Sequence, residues 1–200
     1  MSNSPRNSQA EKLARLEQAL EHYQQHGSDL FNHAEDEAKQ HVRRRALLLL
    51  DQRARSRHEL RQRLLSLEFE PDIVEAVLDD FEAAKLLNDR AFAQEWVRQR
   101  HERRGKSRKA LDIELKDKGI SAHIRAEALD QIDSNDEHNV ATQLAMKKAR
   151  EIKKPPVDFH EQQKYLRRIV GVLARRGFNE GLSFSIAKEA LETRVSELET

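Results

Sequence analysis

The chain has no cysteine among its 200 residues. Disulfide bonds, thiolate metal ligands and cysteine nucleophiles are therefore excluded, and the reducing cytoplasm is the expected location. Aromatic residues make up only 5%, and six glycines and four prolines interrupt the chain. The longest apolar run covers residues 46–50, too short to span a bilayer, and the polar opening MSNSPRNSQAEKLAR predicts no secretory signal. With 36% charged residues, this composition is typical of a helix-rich protein with long solvated faces.

The charges are segregated along the chain, although the formal net charge is only +1. Residues 41–63 carry eight arginines against two acids, and residues 68–82 carry seven acids and no base. Residues 98–118 then carry nine bases against four acids. A solvated helix face explains any single run, but three alternating blocks favour steering towards a charged partner.

One spacing of apolar residues, with steps of 4, 5, 4 and 4, occurs three times. Steps of four keep side chains on one helix face, and the step of five marks a break between two helices. Gly119 and Gly177 stand at this break, where a left-handed turn favours glycine, whereas the first copy has Glu68. Ser121 and Asn179 follow as predicted N-caps. The three sets are Leu60, Leu64, Phe69, Ile73, Val77; Leu111, Leu115, Ile120, Ile124, Ala128; and Ile169, Leu173, Phe178, Leu182, Ile186.

A further helical segment precedes each pair, at about 41–54, 89–103 and 137–152, which makes the unit a three-helix repeat. Capping boxes are predicted at Ser56 with Glu59 and at Ser134 with Glu137, and Pro71 suits the first position of a helix. Ser107 matches Ser56 as an N-cap, and the prolines within 153–157 break the third copy. The predicted fold is all-α, with tandem helix-turn-helix-like repeats.

The predicted domain boundaries follow this frame. Residues 1–40 form an N-terminal extension, partly helical or disordered, in which Leu13, Leu16 and Leu20 suggest one amphipathic helix. The repeats cover residues 41–88, 89–134 and 135–192, and residues 193–200 form a tail.

No catalytic motif is complete. The Gly-Lys-Ser triplet at 105–107 is not a phosphate-binding loop, because Arg100 stands where that motif requires glycine and no strand precedes it. The two His-Glu pairs, at 58–59 and 101–102, lack the second histidine of a zinc-protease helix. No nucleophile is paired with a base at an interpretable spacing. The sequence predicts a protein that is not an enzyme, with no cofactor or metal.

Binding residues can only be chosen by charge density. Trp96 and Phe92 could stack a nucleobase, but a pair four residues apart on a helix is more typical of a core. Arginine binds planar oxyanions through two hydrogen bonds, which makes the basic segments better candidates for contact with phosphate or acidic protein. The predicted partner-binding residues are Arg43, Arg44, Arg45, Arg57, Arg61, Arg104, Lys106, Arg108 and Lys109.

Five short motifs lie in order on the repeat frame within residues 42–190, and together they resemble the RecX family of regulatory proteins. They are Ser56-x-x-Glu59-Leu60, Asn88-Asp89-x-x-Phe92-Ala93, Trp96-Val97-x-x-Arg100, Glu114-Leu115-x-x-x-Gly119-Ile120 and Leu173-x-x-x-Gly177-Phe178.

The resemblance implies an elongated, curved molecule of tandem repeats that binds the RecA recombinase and lies in the groove of its filament on DNA. It also implies inhibition of ATP hydrolysis, strand exchange and co-protease activity, and so control of recombination, DNA repair and the SOS response. The expected form is a monomer with no membrane partner. The alternative is a protein that binds single- or double-stranded DNA directly through basic helix-turn-helix-like repeats.

Overall fold

The computed structural model describes the backbone of residues 29–199 and the side chains of residues 35–199. The predicted helix around Leu13, Leu16 and Leu20 lies outside the described residues. Within residues 29–199 there are nine α-helices and no strand, which confirms the predicted all-α class and its three-helix repeats. They are α1 (Asp29–Gln52), α2 (Arg57–Leu65), α3 (Pro71–Ala83), α4 (Asp89–Arg104), α5 (Arg108–Asp117), α6 (Ala122–Leu129), α7 (Ser134–Ala149), α8 (Phe159–Arg175) and α9 (Glu180–Glu199).

The described residues fall into two compact units. The smaller unit contains residues 29–53 and 61–83, in which α1 packs against α3. Its buried apolar side chains come from one face of each helix, as the four-residue steps predict. They include Val42, Ala46 and Leu49 on α1 and Val74, Val77, Leu78 and Phe81 on α3.

The larger unit contains residues 54–60 and 84–199 and holds two cores. Helices α4, α5 and α6 enclose one core, and α7, α8 and α9 enclose the other. Both are mainly aliphatic with one buried phenylalanine each, Phe92 and Phe178, and Ala141, Ala145 and Ala149 give α7 a close approach to its neighbours. The few aromatic residues are thus explained, because small and branched side chains fill the narrow spaces between short helices.

The three sets of repeated residues have matching burial. The first, second and fifth positions are buried in every copy, and the fourth is half-buried in every copy. The third is buried in two copies and half-buried at Phe69. Leu60, Leu111 and Ile169, the first positions, are each 0% exposed. The repeat therefore describes equivalent places in a packed structure.

The turns at the five-residue step have the predicted left-handed backbone. Gly119 and Gly177 have φ angles of 73° and 87°. Glu68 adopts the same conformation with φ 64°, although it carries a side chain, which is exposed. A non-glycine residue pays a steric penalty in this region of φ. The glutamate in the first copy therefore raises the conformational energy of this turn, but the backbone keeps the same left-handed conformation.

Two predicted helix starts are confirmed and one is wrong by a residue. Ser56 accepts the Glu59 N–H at 3.1 Å and donates its own N–H to the Glu59 carboxylate at 3.4 Å, which completes a capping box. Pro71 begins α3. The predicted box at Ser134 is instead formed by Asp133 and Asp136, and Ser134 is already helical. Helix α7 therefore begins three residues before the predicted 137.

At both junctions of the larger unit, successive copies contact each other through a serine that donates to a backbone carbonyl and through a closely packed turn glycine. The Ser56 hydroxyl donates to the Lys118 carbonyl at 2.7 Å, and the Ser107 N–H donates to the Arg176 carbonyl at 3.0 Å. Each acceptor directly precedes a turn glycine. A Cβ on Gly119 would lie 2.4 Å from the His58 Cβ, and the turn at 177 is equally tight against α5. The start of the middle helix thus packs on the turn of the next copy.

Candidate partner-binding surface

The Gly-Lys-Ser turn at 105–107 joins α4 to α5 and carries the densest group of predicted binding residues. Gly105 ends α4 with φ 58°, and Gly105 and Lys106 donate their N–H groups to carbonyls in the last turns of α4, at 2.9 and 3.2 Å. Ser107 donates its N–H to the Arg176 carbonyl and caps α5 with its hydroxyl. A phosphate-binding loop needs such N–H groups to be available. Here the three donors are used by the protein itself, which makes the turn a structural junction.

The Glu114 carboxylate gathers the side chains beside this turn. It accepts the Trp96 indole N–H at 3.0 Å and lies 3.4 Å from Arg100 Nε and 3.3 Å from Lys106 Nζ. The Glu114 and Lys106 side chains are only 23% and 27% exposed, so this is a partly buried cluster. Lys106, a predicted binding residue, is therefore held against the protein by an ion pair.

The Trp96 ring is packed on several sides. Phe92 stacks on it with ring centroids 5.5 Å apart. The Arg100 guanidinium lies 3.7 Å from the ring centroid, and Lys118 Nζ lies 4.0 Å from it. Lys118 in turn forms an ion pair with Glu59 at 2.7 Å. These contacts give Trp96 a packing role, as the helical spacing favours. Arg100 lies four residues after Trp96 on the same helix, whereas the contact with Lys118 depends on how α5 packs against α4.

Arg108 has a structural task. Its guanidinium donates to the Leu129 and Ile132 carbonyls, at 2.7 and 3.1 Å, and to the Asp130 carboxylate at 2.8 Å. A cation at the carbonyl end of a helix satisfies acceptors that have no partner within the helix. Arg108 thus closes the C-terminal end of α6.

Arg57 occupies the equivalent helix start. It is half-buried, and its N–H donates to the Asp89 carboxylate at 2.8 Å. The Arg108 N–H likewise donates to Glu137 at 3.0 Å. In both junctions an acidic side chain from the first turn of the next copy therefore meets the start of the middle helix.

The smaller unit carries the other four predicted residues. Arg43 forms an ion pair with Asp80, and Arg61 forms one with Glu75. Arg45 is half-buried and Arg44 is exposed. The basic block of α1 and α2 is thus partly neutralised by the acidic block of α3, a pairing that the alternating charges did not reveal.

Three of the nine predicted residues remain exposed without an ion pair in the described part of the chain. Arg104 and Lys109 lie on either side of the Gly-Lys-Ser turn in the larger unit, and Arg44 lies on α1 in the smaller unit. Their contact with a partner stays a prediction.

Charge-based reasoning passed over one basic region in the third copy. Residues 147–175 carry nine Lys and Arg against three acids, a net excess of six bases that equals the excess in residues 41–63. Its Lys-Lys-Pro-Pro segment was interpreted only as a helix break, and α7 and α8 do end and begin on either side of it. The excess of positive charge is therefore visible in the sequence, although the prolines draw attention to the helix break.

The described residues lack the features of a metal site and of a membrane span. No group of three or more His, Asp and Glu side chains among residues 35–199 is arranged to hold a metal ion. No helix in the same part of the chain is both long enough and apolar enough to cross a membrane.

Comparison with known proteins identifies the first two repeats. Residues 43–81 match the RecX first three-helix domain, and residues 88–129 match the RecX second three-helix domain. The regulatory protein RecX of Corynebacterium efficiens is 55% identical over 199 residues, covering 97% of this chain and 95% of that protein. The regulatory protein RecX of Streptomyces coelicolor is 37% identical over 153 residues, covering 76% and 79%.

A solved structure shares the fold. The crystal structure of RecX from Lactobacillus salivarius superposes with a TM-score of 0.64 at 23% identity and covers 79% of this chain and 99% of that one. The likeness at this identity concerns the arrangement of helices. Together with the close relatives over nearly the whole length, it shows that this chain belongs to the RecX family of regulatory proteins.

Proposed function

We propose that this protein binds the RecA recombinase and its filament on DNA and inhibits ATP hydrolysis, strand exchange and co-protease activity. It would thereby limit recombination and the SOS response in the cytoplasm, acting by docking, with no catalytic step of its own. The observation that carries the proposal is the match, at 55% identity along 97% of the chain, to a regulatory protein RecX.

The charge distribution supports a docking role. Arg104 and Lys109 present exposed cations beside a turn that is fixed by three backbone hydrogen bonds and the Glu114 cluster. Rigidly placed exposed charges raise association rates and fix orientation more than they raise affinity. A filament presents the same surface many times, so modest contacts at each repeat unit suffice for stable binding through multivalency.

The test is a titration of this protein against purified RecA in a DNA-dependent ATPase assay. Hydrolysis should fall as the protein is added. The molar ratio of this protein to RecA at half inhibition distinguishes two modes of inhibition. Blocking of filament ends acts at few molecules per filament, whereas coating of the groove requires many. Unchanged hydrolysis at a several-fold molar excess would rule out the proposal.

A charge-reversal variant tests the surface. Arg104→Glu with Lys109→Glu should shift half inhibition to at least about tenfold higher protein, because both cations become like-charge repulsions. Lys147→Glu with Lys188→Glu is the matched control, since it reverses two other exposed charges in the larger unit. Equal inhibition by the two variants would exclude the turn from the interface.

Direct DNA binding is the second candidate, favoured by the exposed Arg44, Arg104 and Lys109. It predicts tight binding to DNA alone with a steep loss of affinity as salt rises, because each neutralised phosphate releases counterions. Weak, salt-insensitive DNA binding together with strong binding to the RecA filament would favour the recombinase as the primary partner.

A further inference from the structure

The third copy contains an open basic cavity of about 770 Å³ in the larger unit, lined by residues from the basic region 147–175. It lies between the connection from α7 to α8 and the outer face of α8. Its lining includes Lys153 and Lys154 from the connection and Tyr165, Arg167 and Arg168 from the helix.

The position of this cavity on the repeat frame suggests its use. When Ile169 is aligned with Leu111, Tyr165 and Arg168 correspond to Ser107 and Ala110 of the preceding copy. Ser107 and Ala110 hold the turn of the next copy so closely that a Cβ on Gly177 would lie 2.6 Å from the Ala110 Cβ. The equivalent first junction is just as close. In the third copy the same face of the middle helix opens into the cavity, and no turn from residues 35–199 fills it.

The two internal junctions also show which groups bind to this face of the middle helix. Each receives a carboxylate from the first turn of the incoming helix, Asp89 on the Arg57 N–H and Glu137 on the Arg108 N–H. Each also receives a backbone carbonyl from the incoming turn. Each face thus receives two groups from separate segments, a backbone carbonyl from a turn and a carboxylate from a helix start.

The cavity has an excess of positive charge. Its lining includes six Lys or Arg side chains and two carboxylates, Glu151 and Glu161. Both carboxylates are engaged within the protein. Glu151 pairs with Lys148, and Glu161 accepts the Val157 N–H at 3.0 Å and the Tyr165 hydroxyl at 2.8 Å. The Val157 N–H lowers the pKa of Glu161, so this carboxylate stays ionised and committed to its own helix start. The other five lining cations form no ion pair within residues 35–199.

Apolar surface beside the cations distinguishes the cavity from a purely electrostatic patch. The Val157 side chain lines it and is 88% exposed, and the neighbouring Phe159 is 74% exposed. Protein partners bury apolar anchors next to paired charges, whereas nucleic-acid backbones are held mainly by cations and polar groups. The mixture favours a peptide.

We propose that this cavity binds an acidic peptide segment of a partner protein, which takes the place that the turn of the next repeat takes at the two internal junctions. Its carboxylates meet Lys154 and Arg168, and an aliphatic side chain covers Val157. Its lining does not include Arg104 or Lys109. It does not depend on the identity of the recombinase as a partner.

The test uses the full chain and fluorescence anisotropy with a short labelled peptide of alternating glutamate and leucine. This peptide should bind, and a version with lysine in place of glutamate should not. Lys154→Glu with Arg168→Glu should weaken binding at least about tenfold, since two attractive contacts become repulsive. Lys147→Glu with Lys188→Glu, which has the same change in net charge, should bind as the unaltered protein does. Circular dichroism checks that each variant is folded, and Lys154→Ala with Arg168→Ala replaces the reversal if it is not.

Three results would overturn the proposal. They are failure of the unaltered protein to bind the acidic peptide, equal losses in the cavity variant and its control, and preferential occupation by a labelled oligothymidylate. In the last case the oligothymidylate would displace the peptide and lose affinity in the cavity variant, and the cavity would be a nucleic-acid site.

Discussion

The hydroxyl of Ser56 donates to the carbonyl of Lys118 at 2.7 Å, across 62 residues of sequence. Ser107 makes the corresponding contact with Arg176 through its N–H. In both cases the residue that caps one helix also holds the turn of the following copy. The same serine therefore both caps a helix and makes a long-range hydrogen bond to the next copy.

The fit of the turn glycines can be measured. Gly177→Ala should lower the free energy of unfolding by about 2–4 kcal/mol, because alanine strains the left-handed backbone and its Cβ would lie 2.6 Å from that of Ala110. Urea denaturation gives the value. Gly181→Ala is the control, since the nearest heavy atom to a Cβ there is 3.7 Å away and the residue is helical. It should raise stability by up to about 1 kcal/mol. Equal effects at 177 and 181 would contradict the tight junction.

The N-caps should differ in importance according to burial. Ser107→Ala should cost about 1–2 kcal/mol of unfolding free energy, because its buried hydroxyl accepts the Ala110 N–H at 3.2 Å and has no water to replace it. Ser121→Ala should cost less than about 1 kcal/mol, since that cap is exposed and its bond to the Ile124 N–H is 3.5 Å long. Thermal unfolding of both variants provides the comparison. A larger loss at Ser121 would show that capping strength is not set by the junction.

Neighbouring cations should separate stability from binding. Arg108→Ala should lower the unfolding free energy by about 1 kcal/mol, a value moderated by its partial exposure, because the carbonyls of Leu129 and Ile132 lose the guanidinium as a donor. Lys109→Ala should change stability by less than about 0.5 kcal/mol. It should instead weaken inhibition in the ATPase titration. If Lys109→Ala unfolds the protein as readily as Arg108→Ala, the division between structural and exposed cations is wrong.

The Glu114 cluster can be followed through the single tryptophan of the chain. Glu114→Gln removes the charge that holds Arg100 and Lys106, so the packing around the Trp96 indole should loosen. We expect a red shift of the Trp96 fluorescence and a loss of about 1–2 kcal/mol in unfolding free energy. Glu102→Gln, an exposed change on the helix that carries Trp96, should leave both properties unaltered. An unshifted spectrum in the first variant would show that Glu114 does not organise the cluster.

The repeat could be predicted from sequence because its signals are local. Four-residue steps at Leu111 and Leu115 identify a buried face, and Gly119 marks the turn that follows. The boundary at Ser134 was misplaced since Asp133, one residue earlier, is an equally good cap in any single-sequence interpretation.

The candidate surfaces were less predictable, because the availability of a charge depends on partners that are distant in sequence. Arg43 is paired across 37 residues with Asp80, and Arg108 across 21 residues with the Leu129 carbonyl. Nothing near either arginine distinguishes it from the exposed Lys109. Charge density therefore identifies basic segments of the sequence but does not separate exposed cations from those engaged within the protein.

Glu68 gives the architecture a direction. Its side chain projects from a turn whose counterparts at 119 and 177 must be bare to fit against a preceding helix. An additional module could be appended behind the third by tandem duplication without altering that turn. One inserted ahead of the first would require Glu68 to become glycine beforehand. Glu68 is therefore compatible only with the first position in the array.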